Sequence, residues 1–546
     1  MGARQHRRVI LVATALLSAL LSGVAPGISS GAISRSAIAT RRPPMVLPGD
    51  VRAAGIRSAS NTWIVAGRPG ALTDQIARNL GAHRLLPASG MYRVKARYAR
   101  RFARELRAAH RLTFAEPNAL ARPQSFPADP LTPQQWWLPA VVDRNLDPPP
   151  VTADSPLLAI IEGQVDKGHP DLPSVRSDSA DPVSDLHATA VAGTASAAAN
   201  GTGIVGVWPG MRVLDVVRDD TCARTVEAIG RATEVASVIN MSYGFDSGAC
   251  FAHEVATNFA FGKQVTLVAS AGNGFLDGNP VSSPGADPHV ITAAATDENN
   301  NSASFSSENG GVDVAAPGVG VLTTVPTNYD PDGTPDGYAA LDGTSFSAPI
   351  VAAAAAWVIQ DRPNLWNDQV TGVLRDSAVD LGTAGWDPSF GFGLLNLAGA
   401  LSTSPEAHDP NEPNDDVEWI DGTHFSPDPP IFRPGFKHKV VFGRLDQFED
   451  PADVYRIRVA AHQRIRLRLK PVFGDPDLEI YKGSASTIYS NRRRLARSIR
   501  SGTATDTITW TNRSRRRVTI YVDTYNASSR TINAEYHLAI TDFPRR

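Results

Sequence analysis

Four polar residues stand at the ends of apolar segments, in the chain order acid, histidine, asparagine and serine. Glu162 ends the run LLAIIE, His187 opens HATAVAGTASAAA, Asn273 ends QVTLVASAGN, and Ser345 lies in DGTSFSAPIVAAAAA. A hydrolase that works by acyl transfer needs a nucleophile, a base, an acid that orients the base and a donor for the oxyanion. These side chains supply one group of each kind, and together they predict such a hydrolase.

The local context of each residue indicates its role. Ser345 would lie at the start of a long buried helix, where its hydroxyl is accessible and its N–H is among the free donors of the helix N-terminus. His187 also opens a helix, which places the imidazole at the carboxyl edge of a parallel sheet. The amide of Asn273 is suited to donate to an oxyanion, and Glu162 would orient the imidazole. Each residue alone has a plain explanation as a cap or turn residue, so the prediction depends on the set.

Apolar strands alternate with alanine-rich helices between residues 129 and 402. This α/β pattern is typical of a parallel sheet with helices on both faces. Residues 60–122 combine a strand-like segment with two helices, the first expected to be capped by Thr73, and predict a small α+β domain. Beyond Pro405, segments such as RIRLRLKP and VTIYVDTY alternate at period two, so residues 406–546 are expected to form an antiparallel β-sandwich.

The middle region resembles the subtilases, the subtilisin-like serine proteases. HATAVAGTASA resembles the histidine box of that family, with Ala188 where glycine is usual, and GTSFSAP resembles its serine box. SVINMSYG resembles the substrate-aligning strand and VASAGN the oxyanion segment. The resemblance implies a subtilisin-like fold in which Ser345 is the nucleophile, His187 the general base and Asn273 the oxyanion donor. It also implies a substrate cleft lined by the backbone of two segments, Ser242, Tyr243, Gly244 and Ser270, Ala271, Gly272.

The acid segment departs from the family pattern. In subtilases this strand ends Asp-Thr-Gly, followed by Val-Asp and then by His-Pro-Asp-Leu. The present chain reads EGQ from Glu162, then VD, then HPDL from His169. The frame is intact, so Glu162 takes the place of the catalytic acid, Asp166 is the second aspartate of the pattern, and His169 is structural. The longer arm moves the carboxyl group by about 1 Å or more unless the strand retreats, and a misplacement of that size can cost about 10²-fold in rate.

The flanking regions indicate export and processing. Residues 1–32 have the basic start, short apolar core and small residues of a signal peptide, and residues 33–59 are expected to be a linker. By resemblance, residues 60–122 are an inhibitory propeptide and residues 406–546 a bacterial pre-peptidase C-terminal domain. The sequence therefore predicts a zymogen that is secreted to the extracellular space or cell surface and has no transmembrane segment. Its predicted partners are protein or peptide substrates and its own propeptide.

Charge is distributed unevenly along the chain. Residues 1–122 hold 20 Lys and Arg against 4 Asp and Glu, whereas residues 123–402 hold 10 against 32. The basic N-terminal part and the acidic middle could attract each other, and a solubility bias is the alternative. No motif supports nucleic-acid binding, so no nucleic-acid partner is expected. The runs NRRRLARS and NRSRRRV fit a solvated strand face or contact with an anionic cell surface.

The cysteines and one acidic turn complete the candidate features. Cys222 and Cys250 are expected to form one disulfide in an exported chain, two unpaired buried thiols being the alternative. NYDPDGTPDGY places Asp330, Asp332 and Asp336 in a turn with the oxygen-ligand density of a Ca²⁺ site, but without the spacing of an EF-hand. A solvated Asp/Gly turn is the alternative there. The predicted chemistry requires no cofactor, and the resemblance implies structural Ca²⁺ only generically.

Two functions compete on the sequence alone. The favoured one is an exported serine endopeptidase in which Glu162 replaces the usual aspartate. The rival is a degenerate subtilase fold that binds peptides or surface material without cutting them. Retention of Ser345, His187 and Asn273 favours the peptidase, whereas the altered acid segment and Ala188 favour the rival.

Overall fold

The computed structural model of the protein describes residues 58–86, 88–119, 126–246, 249–447, 450–527 and 532–543. The predicted signal peptide, residues 1–32, and residues 33–57 of the predicted linker lie outside this part. The chain divides into two compact units, residues 1–123 and 124–546. Within the described ranges, no helix is long and apolar enough to cross a membrane.

The N-terminal unit is an antiparallel sheet with strand order β2-β3-β1-β4 and two helices. Its elements are β1 (Ser58–Gly67), α1 (Ala71–Asn79), β2 (His83–Arg84), β3 (Met91–Lys95), α2 (Ala96–Ala108) and β4 (Leu112–Ala119). Helix α2 buries Ala99, Phe102, Ala103 and Leu106, the 3–4 spacing of an amphipathic helix. Two details of the prediction are wrong. The strand begins at Ser58, inside the predicted linker, and Thr73 caps nothing because α1 begins at Ala71.

The second unit begins with an α/β region that contains the predicted site. Its helices are α3 (Leu138–Val141), α4 (His187–Ser196), α5 (Cys222–Thr233), α6 (Phe251–Gly262), α7 (Thr344–Asp361), α8 (Asn367–Asp376) and α9 (Leu397–Ala400). Its strands are β5 (Leu157–Glu162), β6 (Val175–Ser177), β7 (Arg212–Val217), β8 (Val238–Met241), β9 (Phe245–Asp246), β10 (Thr266–Ser270), β11 (Ser282–Ser283), β12 (Val290–Thr296), β13 (Val312–Pro317), β14 (Val321–Thr324) and β15 (Tyr338–Leu341).

Seven of these strands form a parallel sheet in the order β13-β12-β10-β8-β5-β7-β6. Helices α4 and α7 contribute to the core on one face, and α5 and α6 to the core on the other. The predicted α/β architecture is therefore confirmed. The sequence had not indicated β12 and β13, whose runs VITAAAT and VDVAAP are rich in alanine, a poor strand former.

Cys222 and Cys250 stand at the starts of α5 and α6, which lie on the same face of the sheet. The two residues form a disulfide with a Cα–Cα distance of 5.8 Å. The predicted pairing is confirmed.

The C-terminal region opens with α10 (Val417–Ile420) and continues as eight strands in two antiparallel sheets. One sheet contains β16 (His438–Asp446), β23 (Asn533–Asp542), β18 (Arg464–Phe473) and β21 (Asp506–Thr511). The other contains β17 (Ala452–Val459), β22 (Val518–Asn526), β19 (Pro476–Lys482) and β20 (Arg494–Ser498). Both sheets contribute inward side chains to one core, so the region has the predicted sandwich form.

Candidate active site

The carboxyl edge of the parallel sheet brings the predicted acid and base together. Glu162 is the last residue of β5, is only 2% exposed, and lies between β7 and β8. Its Oε2 lies 3.0 Å from His187 Nδ1, while its Oε1 accepts a hydrogen bond from Ser242 N at 3.2 Å. Both carboxylate oxygens are therefore held, one by the imidazole and one by the backbone after β8.

The environment of His187 favours its protonated form. Burial lowers the pKa of the imidazole, but the charge and hydrogen bond of Glu162, with a smaller contribution from Asp185, outweigh that effect. The net result is a pKa above the ordinary value for histidine. A carboxylate partner of this kind stabilises the imidazolium that a general base becomes when it accepts a proton.

Ser345 is the second residue of α7, and Gly343, the residue just before the helix, has φ +152°. Its Oγ donates to the carbonyl of Ser242 at 3.4 Å, and Ser242 Oγ donates in return to the carbonyl of Ser345 at 2.9 Å. No hydrogen bond joins Ser345 Oγ to His187 within the described ranges. Hydrogen bonds between catalytic groups are often long or absent until substrate is bound.

Asn273 is oriented by the residue before the predicted nucleophile. Its Oδ1 accepts hydrogen bonds from Thr344 N at 2.9 Å and from Thr344 Oγ1 at 2.8 Å. Because the oxygen is held in this way, the NH₂ group of the exposed side chain remains as a donor beside Gly343. The arrangement suits the donation to an oxyanion that the sequence predicts.

The turn after Glu162 is held by a residue that sequence reasoning missed. Asp215 of β7 lies opposite Ile160 of β5, and its Oδ2 accepts from Gln164 Nε2 and from Val165 N, each at 3.1 Å. Burial, with a smaller contribution from the charge of Glu162, raises the pKa of Asp215 to about 7. The signal in the sequence was an acid inside RVLDVV, an otherwise apolar buried strand.

The other polar residues of this segment are structural. Asp166 Oδ1 accepts from Gly168 N at 2.9 Å and closes a local turn. His169 is buried and its Nε2 lies 2.9 Å from the carbonyl of Gly337, which agrees with the structural role predicted for it.

A cleft of about 260 Å³ lies beside Ser345 and Asn273. Five of the six residues predicted to contact substrate line it, namely Ser242, Tyr243, Gly244, Ser270 and Gly272. The sixth, Ala271, buries its side chain fully in the core, so only its backbone could make the predicted contact. The lining residue Tyr243 is held by two contacts: Arg218 stacks on its ring with Cζ 4.1 Å from the ring centroid, and its hydroxyl lies 3.0 Å from His253 Nε2.

The predicted metal-binding turn uses its carboxylates locally. Asp330, Asp332 and Asp336 each accept a hydrogen bond from a backbone N–H of the same turn, those of Gly337, Thr334 and Tyr338. In the described part of the chain, the groups close enough to share a cation lie elsewhere. Asp409, Glu412, Asp450 and Asp453 place ligand oxygens within 4.8 Å of one another, and His289, Glu412 and Asp415 form an overlapping group.

The carboxylate cluster formed by Asp409, Glu412, Asp450 and Asp453 lies where the sandwich meets the α/β region. Oδ1 of Asp450 is buried and has no hydrogen-bond partner among the described residues, and His289 Nε2 lies 3.6 Å from Glu412 Oε2. Burial and the neighbouring charge of Asp453 raise the pKa of Asp409 to about 8. Four carboxylates this close cannot all be ionised without a compensating positive charge.

The comparisons with known proteins agree with the geometry of the α/β region. The model of the subtilase family matches residues 154–393. Subtilisin DY of Bacillus licheniformis is 37% identical over 222 residues, which cover 39% of this chain and 77% of that protein. Subtilisin Savinase of Lederbergia lenta is 36% identical over 220 residues, again 39% of this chain and 77% of that protein.

Among solved structures, fervidolysin from Fervidobacterium pennivorans, a keratinolytic enzyme related to subtilisin, is 20% identical with a TM-score of 0.48. The match covers 83% of this chain and 85% of that one. The identity to the subtilisins, over three quarters of their length, decides the assignment: the chain belongs to the subtilase family and is a subtilisin-like serine peptidase.

Proposed function

We propose that the protein is a secreted endopeptidase, made as a zymogen, whose triad is Ser345, His187 and Glu162. The observation that carries this proposal is the 3.0 Å contact between Glu162 Oε2 and His187 Nδ1 at the sheet edge where α7 begins. Asn273, whose amide oxygen is held by Thr344, supplies the oxyanion donor.

The reaction begins with rotation of the Ser345 side chain away from the Ser242 carbonyl and towards His187 Nε2. Oγ then attacks the carbonyl carbon of the peptide bond while Nε2 takes its proton. The tetrahedral oxyanion accepts hydrogen bonds from Asn273 Nδ2 and from the backbone N–H of Ser345. His187 returns the proton to the leaving amine as the C–N bond breaks, and water hydrolyses the acyl-enzyme by the same route.

Glutamate can serve as the acid because its longer arm is accommodated. Gly163 leaves room in the turn, and Asp215 fixes that turn through Gln164 and Val165. With Oε1 also held by Ser242 N, the carboxylate keeps one orientation towards Nδ1. We therefore expect Glu162 to support most of the activity that an aspartate would give.

The zymogen and secretion parts of the proposal are supported by the N-terminal region. Residues 58–119 form an α+β unit with its own core, as an inhibitory propeptide needs, and a signal-like segment precedes it. Intact-mass analysis of the protein from the culture medium tests both parts. A mature species that lacks residues 1–122 is expected, whereas an unprocessed chain that starts near residue 33 would contradict the zymogen.

A serine-directed fluorophosphonate probe tests the catalytic assignment. Labelling requires an activated serine, so the processed protein should be labelled at Ser345 and the Ser345→Ala variant should not. Ser347→Ala is the matched control, because Ser347 lies in the same helix but donates to the buried carbonyls of Ala316 and Pro317. Equal labelling of the wild type and Ser345→Ala would contradict the proposal.

We also propose that the carboxylate cluster holds a structural Ca²⁺. Its donors are hard carboxylate oxygens, which Ca²⁺ prefers, and Oδ1 of Asp450, which accepts no hydrogen bond from any residue that the structure describes, is available as a ligand. Saturating Ca²⁺ stabilises a folded protein by about 2.7 kcal/mol at 100 times its Kd, so thermal unfolding reports binding. Ca²⁺ should raise the Tm of the wild type and of Asp332→Asn, but not that of Asp450→Asn. The opposite pattern would assign the ion to the turn around Asp332.

A further inference from the structure

Strand β18 of the sandwich carries a row of positive charges on its outer face. Ile465, Leu467 and Leu469 are fully buried in the core, so the alternating Arg464, Arg466, Arg468 and Lys470 all lie on the opposite face. Alternate residues of a strand are about 6.8 Å apart, so the row extends over about 20 Å.

A second group of cations adjoins the row. Arg513, Arg515, Arg516 and Arg517 are all exposed in the loop that follows β21, the neighbouring edge strand. Asn512 N donates to the carbonyl of Gln463 at 3.0 Å, which ties the start of this loop to the start of β18. We call these eight residues the cationic face.

The neighbours of the cationic face do not neutralise it. The cross-strand partners of Arg466 and Arg468 are Thr509 and Thr507 on β21 and Thr541 and Ala539 on β23. None of the eight cations forms a salt bridge with a carboxylate in the described part of the chain. A sheet face exposed only to water usually mixes the two signs of charge, because like charges side by side are destabilising.

The surrounding segment is also strongly basic. Residues 460–520 contain 14 Lys and Arg and only 4 Asp and Glu. Three of those four acids, Asp477, Glu479 and Asp506, are buried and cannot screen the surface charge. The segment therefore presents a positive potential to solvent, to which the cationic face contributes eight charges; the other six cations lie on or next to β19 and β20 of the other sheet.

We infer that the cationic face binds an extended anionic polysaccharide and holds the peptidase on it. Seven of the eight cations are arginines, whose planar guanidinium groups bind sulfate or carboxylate oxygens through two hydrogen bonds at once. A linear polymer with repeated charges can contact the row along β18 and the adjoining loop together. Phe543, the ring beside the row, carries Arg466 over it at 3.7 Å and Arg464 at 4.9 Å, so the row itself already occupies this ring, the aromatic group that could otherwise stack on a base.

The test measures binding of the full secreted chain to heparin, used as a sulfated polysaccharide probe. One variant replaces four residues of the cationic face by Gln: Arg468, Lys470, Arg515 and Arg516. The matched control replaces four cations elsewhere by Gln: Arg144, Arg176, Arg224 and Lys263. Both remove three Arg and one Lys from exposed positions. Because each exposed charge contact is worth a few-fold in affinity, the first variant should bind about tenfold or more weakly, and the control within about twofold of the wild type. Cleavage of a short soluble peptide should be equal in all three, which confirms folding.

Several results would overturn the inference. They are equal losses in the two variants, no retention of the wild type at low salt, or stronger binding to a single-stranded DNA oligomer of equal charge. If the fourfold variant misfolds, Arg513→Gln with Arg517→Gln tests the same loop, and an unchanged affinity would again contradict the inference. Binding does not depend on the proposed triad, so the processed wild type blocked at Ser345 by the fluorophosphonate probe should bind heparin as the untreated protein does.

Discussion

Gln164 Nε2 donates to Asp215 Oδ2 over 3.1 Å, between the turn after the predicted acid and the neighbouring strand β7. The turn normally carries a glycine at this position in subtilases. Here the glutamine side chain is tied to a carboxyl group that also accepts from Val165 N. The contact couples the position of Glu162 to that of a second buried acid.

Gln164→Ala should lower kcat about tenfold with little change in KM. Loss of the contact lets the turn relax, and shifts of about 1 Å in a catalytic group cost up to about 10²-fold. The measurement is steady-state kinetics on one peptide, with the exposed Gln134→Ala as control. An unchanged kcat would mean that the Gln164–Asp215 contact does not position Glu162.

Removal of the disulfide should destabilise the protein without changing the site. Cys222 and Cys250 are 28 residues apart, and closing a loop of that size is worth about 3 kcal/mol. Cys222→Ser with Cys250→Ser should lower the free energy of unfolding by about that amount in urea titration, while kcat stays within about twofold. A loss below about 1 kcal/mol would show that the packing of α5 against α6 suffices.

The sequence could single out the candidate site residues because each one lies at or near the end of an element at the same edge of the sheet. Glu162, His187, Asn273 and Ser345 stand at such ends, so motif order and element type together placed them. Asp215 could not be found in this way. It lies in the middle of β7 and is brought beside the turn only because β7 pairs with β5, where Asp215 stands opposite Ile160, 55 residues earlier.

The metal at the turn around Asp330 stays a prediction, and the reason it rests on little can be stated in physical terms. A local density of carboxylates suggested the turn at Asp330, but a tight turn satisfies its own backbone N–H groups first. The carboxylate cluster joins Asp409 and Glu412 to Asp450 and Asp453, two segments about 40 residues apart that only the folded sandwich brings together.

Two substitutions of Glu162 distinguish the effect of its charge from the effect of its side-chain length. Glu162→Gln should reduce kcat by about 10⁴-fold, because it removes the charge and the acceptor that fixes the imidazole tautomer. Glu162→Asp should also be slower, by up to about 10²-fold, since the shorter arm cannot keep the 3.0 Å contact with Nδ1. Steady-state kcat values on one peptide decide this. An aspartate variant faster than the wild type would show that the strand has not adapted to glutamate.

The pH dependence of kcat/KM should reveal the same contact. Activity needs a neutral His187, so kcat/KM should rise with pH through an apparent pKa above 6.5, because Glu162 outweighs burial and raises the pKa of the imidazole. Loss of the negative charge in Glu162→Gln leaves burial dominant, so the residual activity of that variant should rise through a lower apparent pKa. Asp185→Asn, which removes a more weakly acting charge, should lower the pKa by less. A profile that is unchanged in Glu162→Gln would mean that the group titrating in the free enzyme is not His187.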